Sequence, residues 1–195
     1  MAIEPDSLIV QRNLGIFFSQ TARIKEAKYA VGKALEINPQ DSETLYCYAV
    51  HLQTQSRAKE AEDLFLEASK LAPENPLIWT GLATAQRSLG KLESARESCL
   101  VALEFDPQNL VALNDLGALS VELEDYSDAI TYFKRSISMN SEQPRVWFNL
   151  GTAYQRANSL DKAITAYAEA HVHQPNSAAN HEAKGRTFLN QGQHE

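Results

Sequence analysis

The side chains best suited to chemistry gather near the C-terminal end. His171, His173 and His181 are close in sequence and raise the question of a metal. Residues two apart on a helix point in different directions, unlike an i, i+4 pair, and no carboxylate or thiol completes a ligand set. A polar surface is the expectation for them. Cys47 and Cys99 fall at packing positions with no histidine in a nucleophile arrangement, so both are expected to fill core. Glu60, Glu62, Glu67, Glu93 and Glu97 are expected on outward faces, where water explains them. A serine elbow, a P-loop and a glycine-rich dinucleotide turn are all missing from the sequence. The expectation is a chain that is not an enzyme and takes no cofactor or metal.

Composition narrows the partners. The 195 residues are 44% hydrophobic and 22% charged, which fits a folded chain with ample core, and the 8 glycines and 7 prolines are too few for a loop-rich all-β fold. Eighteen basic residues against twenty-five acidic ones leave a charge of −7. Nucleic acid, which is bound by neutralising phosphates, is therefore not an expected partner, and neither is an anionic membrane surface. No apolar run approaches the roughly 18–20 residues that span a bilayer. Met1 to Ser7 lacks a basic region and a small-residue cleavage site, so no signal peptide is expected. Two cysteines make no disulfide framework. A soluble, cytoplasmic protein follows as the expectation.

The elements that must position any site emerge from periodicity. Ala27, Ala61, Ala95, Ala129 and Ala163 are each 34 residues apart. Small residues also recur at Gly15, Ala49, Ala83, Gly117, Gly151 and Gly185, and again at Ala34, Ala68, Ala102, Ser136 and Ala170. Proline follows at Pro39, Pro73, Pro107 and Pro175, with Ser141 breaking the series. Large apolar columns run between them, Leu14, Tyr48, Leu82, Leu116 and Leu150 in one, Val31, Phe65, Cys99, Phe133 and Tyr167 in another. Each apolar stripe has helical spacing and is too long for a strand.

Punctuation agrees with this division. Asn75 before Pro76 reads as an N-cap with proline in the first turn, and Pro144 is placed likewise. Asp41 or Ser42, Asn109 and Ser177 supply other caps, while Gly90 and Gly192 fall where a first helix stops. Every unit reads as helix, turn, helix, turn: 8–41, 42–75, 76–109, 110–143 and 144–177, with a lone capping helix over 178–195. One pair cannot cover its own apolar faces, so pairs must stack into a single domain over 1–195.

The units resemble tetratricopeptide repeats. The family pattern is nearly complete at Trp147, Leu150, Gly151, Tyr154, Ala163, Tyr167, Ala170 and Pro175, and Trp79 repeats the tryptophan place. The first unit departs most, with Gln11 in the tryptophan place and Val31 for the late aromatic. The resemblance implies an all-α, right-handed α-solenoid whose first helices line a concave groove. The wall places then hold Arg12, Ile16, Tyr46, Val50, Leu77, Arg87, Val111, Asn114, Val121, Arg145 and Phe148, with Arg186 from the cap. An apolar strip edged by arginine suits a peptide or amphipathic helix of a protein partner, with apolar anchors and acidic flanks. The carboxylate clamp of chaperone-tail binders is not matched, since its places hold Arg12, Ile16, Cys47, Leu77 and Gly81. The asparagine ladder of the O-linked glycosyltransferase type is matched only at Asn13 and Asn149.

The ends differ in character. Ala178 to Glu195 reads as a solvating cap, although the chain stops in mid-unit. Ile9, Val10, Leu14, Ile16, Phe17 and Phe18 make the first helix apolar on more than one face, so residues 9–18 are a candidate surface for homo-oligomer formation. A docking or regulatory region of a larger enzyme is the remaining alternative.

Overall fold

A computed structural model of the chain describes residues 7–21, 23–174 and Gly185. The expected cap over 178–195, with His181, Arg186 and Gly192, lies outside the described residues, as do Pro175 and Ser177. The fold is all-α, built from helices in consecutive pairs. First helices of 13 residues are α1 (Leu8–Gln20), α3 (Ser42–Thr54), α5 (Pro76–Ser88), α7 (Leu110–Glu122) and α9 (Pro144–Arg156). Second helices of 14 residues are α2 (Ile24–Ile37), α4 (Ala58–Leu71), α6 (Leu92–Phe105), α8 (Tyr126–Met139) and α10 (Leu160–His173). Two compact units result, 1–107 with α1 to α6 and 108–195 with α7 to α10.

Within each unit the small-residue ladders sit where helices touch. Ala27, Ala61, Ala95, Ala129 and Ala163 are all 0% exposed, as are Ala34, Ala68, Ala102, Ser136 and Ala170. The aromatic column explains why the glycines must stay small. A Cβ on Gly151 would lie 2.6 Å from the Tyr167 ring, and Gly117 meets Phe133 in the same way. Phe65, whose own pair offers Ala49, meets its glycine in the following pair, where a Cβ added to Gly81 would lie 2.5 Å from the ring. Gly81 is outside the expected ladder, so this lock between α4 and α5 was not read from periodicity.

Loop chemistry fixes the turns. Asp41, Asn75, Asn109 and Asp125 accept from the backbone N–H of Thr44, Leu77, Ala112 and Asp128 at their helix starts. The first helices end alike: Gly90 has φ +74°, and Ser56, Glu124 and Asn158, at the same place in their pairs, have φ 59°, 62° and 56°. The next N–H then closes each end, Arg57 onto Leu52, Lys91 onto Gln86, Asp125 onto Ser120 and Ser159 onto Tyr154, at 2.8–3.0 Å. Both tryptophans pin a helix start to the loop before it, Trp79 Nε1 donating to the Pro73 carbonyl and Trp147 Nε1 to that of Ser141.

One carboxylate departs from expectation. Glu62 on α4 is only 3% exposed, not on a solvated outer face. Lys91, at the start of α6, donates to both of its oxygens at 2.7 and 2.8 Å, and Lys59 donates at 3.1 Å. Sequence inspection missed the pair because Lys91 comes 29 residues later, in the next helix pair. Burial pushes the Glu62 carboxyl up, but the hydrogen bonds from Lys91 and Lys59 outweigh that and hold it below its ordinary value.

Two sets of variants test this packing. Gly81→Ala and Gly151→Ala are each expected to lose about 1–3 kcal/mol in urea unfolding, because a buried ring has nowhere to move. Gly32→Ala, in an exposed stretch of α2 with open space around it, is expected to gain about 0.5–1 kcal/mol. Lys91→Met is expected to cost about 1–3 kcal/mol near neutral pH, since it strips a buried carboxylate of its main donor. Folding lowers the Glu62 value, so the stabilisation is present above the unfolded carboxylate range and lost as pH falls through the folded value. The gap between wild type and Lys91→Met should therefore shrink in acid; a gap independent of pH would refute the role given to Glu62.

Candidate functional site

The first-helix wall is best followed one unit at a time. In residues 1–107, Arg12 of α1 reaches the start of α3, where its guanidinium pairs with Glu43 and lies 3.7 Å from Asp41. The Arg12 cation is thus already paired within the wall. Tyr46 is half-buried, its ring tilted against Phe65 at 5.9 Å, and Ile16 is also half-buried. Gln53 Nε2 donates to the Gly81 carbonyl at 2.8 Å, and Thr80 is buried with its hydroxyl on the Leu77 carbonyl. Arg87 is half-buried near the end of α5. The side chains that face water are Val50 and Leu77, the latter 50% exposed.

Residues 108–195 repeat the pattern with other side chains. Val111, the second residue of α7, is 55% exposed, and Arg145 on α9 is exposed. Asn114 donates to Gln143 Oε1 at 3.1 Å, and Gln143 in turn donates to the Ser136 hydroxyl and the Asn140 carbonyl. That network includes Ser136, which stands in the alanine ladder and uses its hydroxyl as an acceptor. Val121 packs onto the core beside Phe133 and Leu150. Phe148 lies 5.3 Å from Tyr167, whose hydroxyl donates to Gln155 Oε1 and contacts Thr152 Oγ1. Burial raises the Tyr167 hydroxyl, so it stays a proton donor to these wall residues.

The named wall residues therefore divide by exposure. Tyr46, Phe148, Asn114 and Val121 are tied into packing or hydrogen bonds, whereas Val50, Leu77, Val111 and Arg145 are exposed. Arg186 lies outside the described residues. Helical position separates the two groups: Leu77, Val111 and Arg145 share one place in their units, and Tyr46, Asn114 and Phe148 share the place one turn further on. At the inner place a ring holds Tyr46 and Phe148, and a hydrogen bond to Gln143 holds Asn114.

The residues 49–109 and 114–181 match the sequence pattern of the tetratricopeptide repeat. The chain belongs to the tetratricopeptide repeat family. Among curated repeat proteins it is 36% identical over 107 residues to the general transcriptional corepressor trfA of Dictyostelium discoideum, covering 55% of this chain and 8% of that protein. It is 24% identical over 195 aligned residues to the anaphase-promoting complex subunit cut9 of Schizosaccharomyces pombe, covering 95% of this chain and 29% of cut9. The chain thus spans under a third of either relative. Among solved structures it superposes on YrrB, described as a tetratricopeptide repeat protein with an unusual peptide-binding site, with a TM-score of 0.77 at 20% identity, over 93% of this chain and 94% of YrrB. That likeness concerns the fold. No helix among the described residues is long and apolar enough to cross a membrane.

The thiols of this repeat protein sit in the packing. Cys99 is fully buried, and Cys47 is half-buried beside the wall. Burial raises the Cys47 thiol, Glu43 and Asp41 push it the same way, and Arg12 opposes them. The thiolate that would act as a nucleophile is thus disfavoured. Iodoacetamide at pH 7 is expected to label Cys47 at least ~10-fold more slowly than a free thiol, and Cys99 only on global unfolding. Rapid labelling of native Cys99 would contradict its place in the core.

Proposed function

We propose that this repeat protein is a non-enzymatic interaction scaffold whose first-helix wall takes a peptide or amphipathic helix of a protein partner. The observation that carries the proposal is the exposure of Leu77 and Val111, apolar side chains at the same place in their pairs, 50% and 55% exposed. Repeat relatives with protein partners support it: cut9 is a subunit of the anaphase-promoting complex, and YrrB has a peptide-binding site. The exposed Arg145, at the same place in its pair as Val111, favours a segment that carries acidic flanks.

A self-assembling scaffold is a second reading, favoured by one observation. Ile9 and Phe17 of α1 are 60% and 53% exposed, a large apolar share for one helix. Light scattering separates the two readings, since a chain that stays monomeric at high concentration removes the second.

The exposed residues are better targets than Tyr46 and Phe148, whose loss would disturb Phe65 and Tyr167. A Leu77→Ser, Val111→Ser double variant should keep the wild-type melt and reduce partner capture at least ~10-fold, the loss of two apolar anchors. Arg145→Glu should weaken capture further at low salt than at high salt. Capture unaffected by the double variant would dismiss the wall as the binding surface.

A further inference from the structure

A second surface lies away from that wall. In residues 108–195 the second helices α8 and α10 flank α9, and between them opens an apolar cavity of about 330 Å³. Its sides are Ile137, Trp147, Leu150 and Tyr154, and its rim carries Lys134 and Lys162. Trp147, Leu150 and Tyr154 follow helical spacing on α9, on a different face from Arg145, Phe148 and Thr152. The Trp147 indole is fixed by its hydrogen bond to the Ser141 carbonyl, and Lys162 Nζ stands 5.8 Å from the centre of the Tyr154 ring. The cavity is therefore built from anchored side chains. Sequence inspection assigned Trp147 and Tyr154 to core columns, yet both remain half-buried here.

The same place occurs three repeats earlier, within residues 1–107, and differs in the way that matters. There α2, α3 and α4 form a cavity in which Tyr48 and Leu52 take the places of Leu150 and Tyr154. Glu60 stands where Lys162 does and Asp63 where Thr165 does, and Glu60 is already paired with Lys28 and Arg57. In the later cavity the lining among the described residues contains no carboxylate, and neither Lys134 nor Lys162 has an ion-pair partner among them. Two cations at the mouth of an apolar hole attract an anion whose neighbour can enter the hole.

We propose that the cavity between α8, α9 and α10 binds an acidic peptide segment of a partner protein, which inserts one large apolar side chain between Trp147 and Tyr154 while flanking carboxylates meet Lys134 and Lys162. The cavity volume suits a single aromatic or branched side chain in place of a longer helix. This site stands independently of the first-helix wall, so a partner can hold both.

The test uses the full chain labelled with nitrogen-15 and reads the Trp147 indole N–H resonance, with Trp79→Phe to assign it. The probes are capped pentapeptides with Phe or Leu between two pairs of aspartates. Controls carry alanine at the centre or lysine in the flanks. The aspartate-flanked Phe and Leu peptides are expected to shift Trp147 with Kd between about 0.1 and 1 mM, leaving Trp79 still. Lys134→Glu with Lys162→Glu should weaken binding at least ~10-fold, and both positions are exposed, so the fold is retained. The Leu77→Ser, Val111→Ser variant should bind these peptides like wild type, which separates this site from the wall. A Trp147 signal that does not move at about 5 mM peptide, equal binding of the lysine-flanked control, or indifference to the charge reversal would overturn the proposal.

Discussion

The constraint on which the rest depends is an aromatic ring lying on the bare backbone of a facing helix. Tyr167 on Gly151, Phe133 on Gly117 and Phe65 on Gly81 leave no room for a methyl group. This contact sets how closely two helices approach, and close approach is what lets the alanine columns bury completely. It also decides which first-helix residues are left over. Where a ring leans past the glycine it meets Tyr46 or Phe148 and draws that side chain into the packing. One turn earlier along the first helix, Leu77 and Val111 stay in water. The same interaction thus builds the pair and apportions its surface.

Much of the fold was legible because small residues are hard to replace. An alanine at a helix crossing has few substitutes, so its spacing survives in the sequence as a ladder that can be counted. Caps were legible for a similar reason, since Asp41, Asn75 and Asn109 offer a side-chain acceptor that the first turn requires. Less was visible where two distant residues act as one. Glu62 looks like any surface glutamate until Lys91 of the next pair is placed beside it. Gly81 looks incidental until Phe65 is laid against it. Gln143 gives no hint that it satisfies Asn114 and Ser136 together.

The candidate site was legible only as a set of positions. Counting along the first helices finds the wall but gives each place the same weight, and exposure then divides the residues unevenly. The cavity between α8, α9 and α10 escaped for the opposite reason. Its tryptophan and tyrosine fit the family packing pattern so well that a core role accounts for them, and only their partial exposure reveals a second use. Comparing it with the cavity three repeats earlier separates frame from function: the apolar walls recur, whereas the charge at the rim changes sign.

The turns inside the pairs hold a further consequence. Gly90 is best suited to its left-handed backbone and Asn158 tolerates it, whereas Ser56 and Glu124 occupy the same conformation less comfortably. Each such residue carries a conformational penalty of roughly 1–2 kcal/mol that the stacked helices must offset. The fold therefore tolerates drift at these corners as long as its interior is intact. A lineage under pressure toward heat resistance has glycine there as an inexpensive adaptive route, open without altering either binding surface.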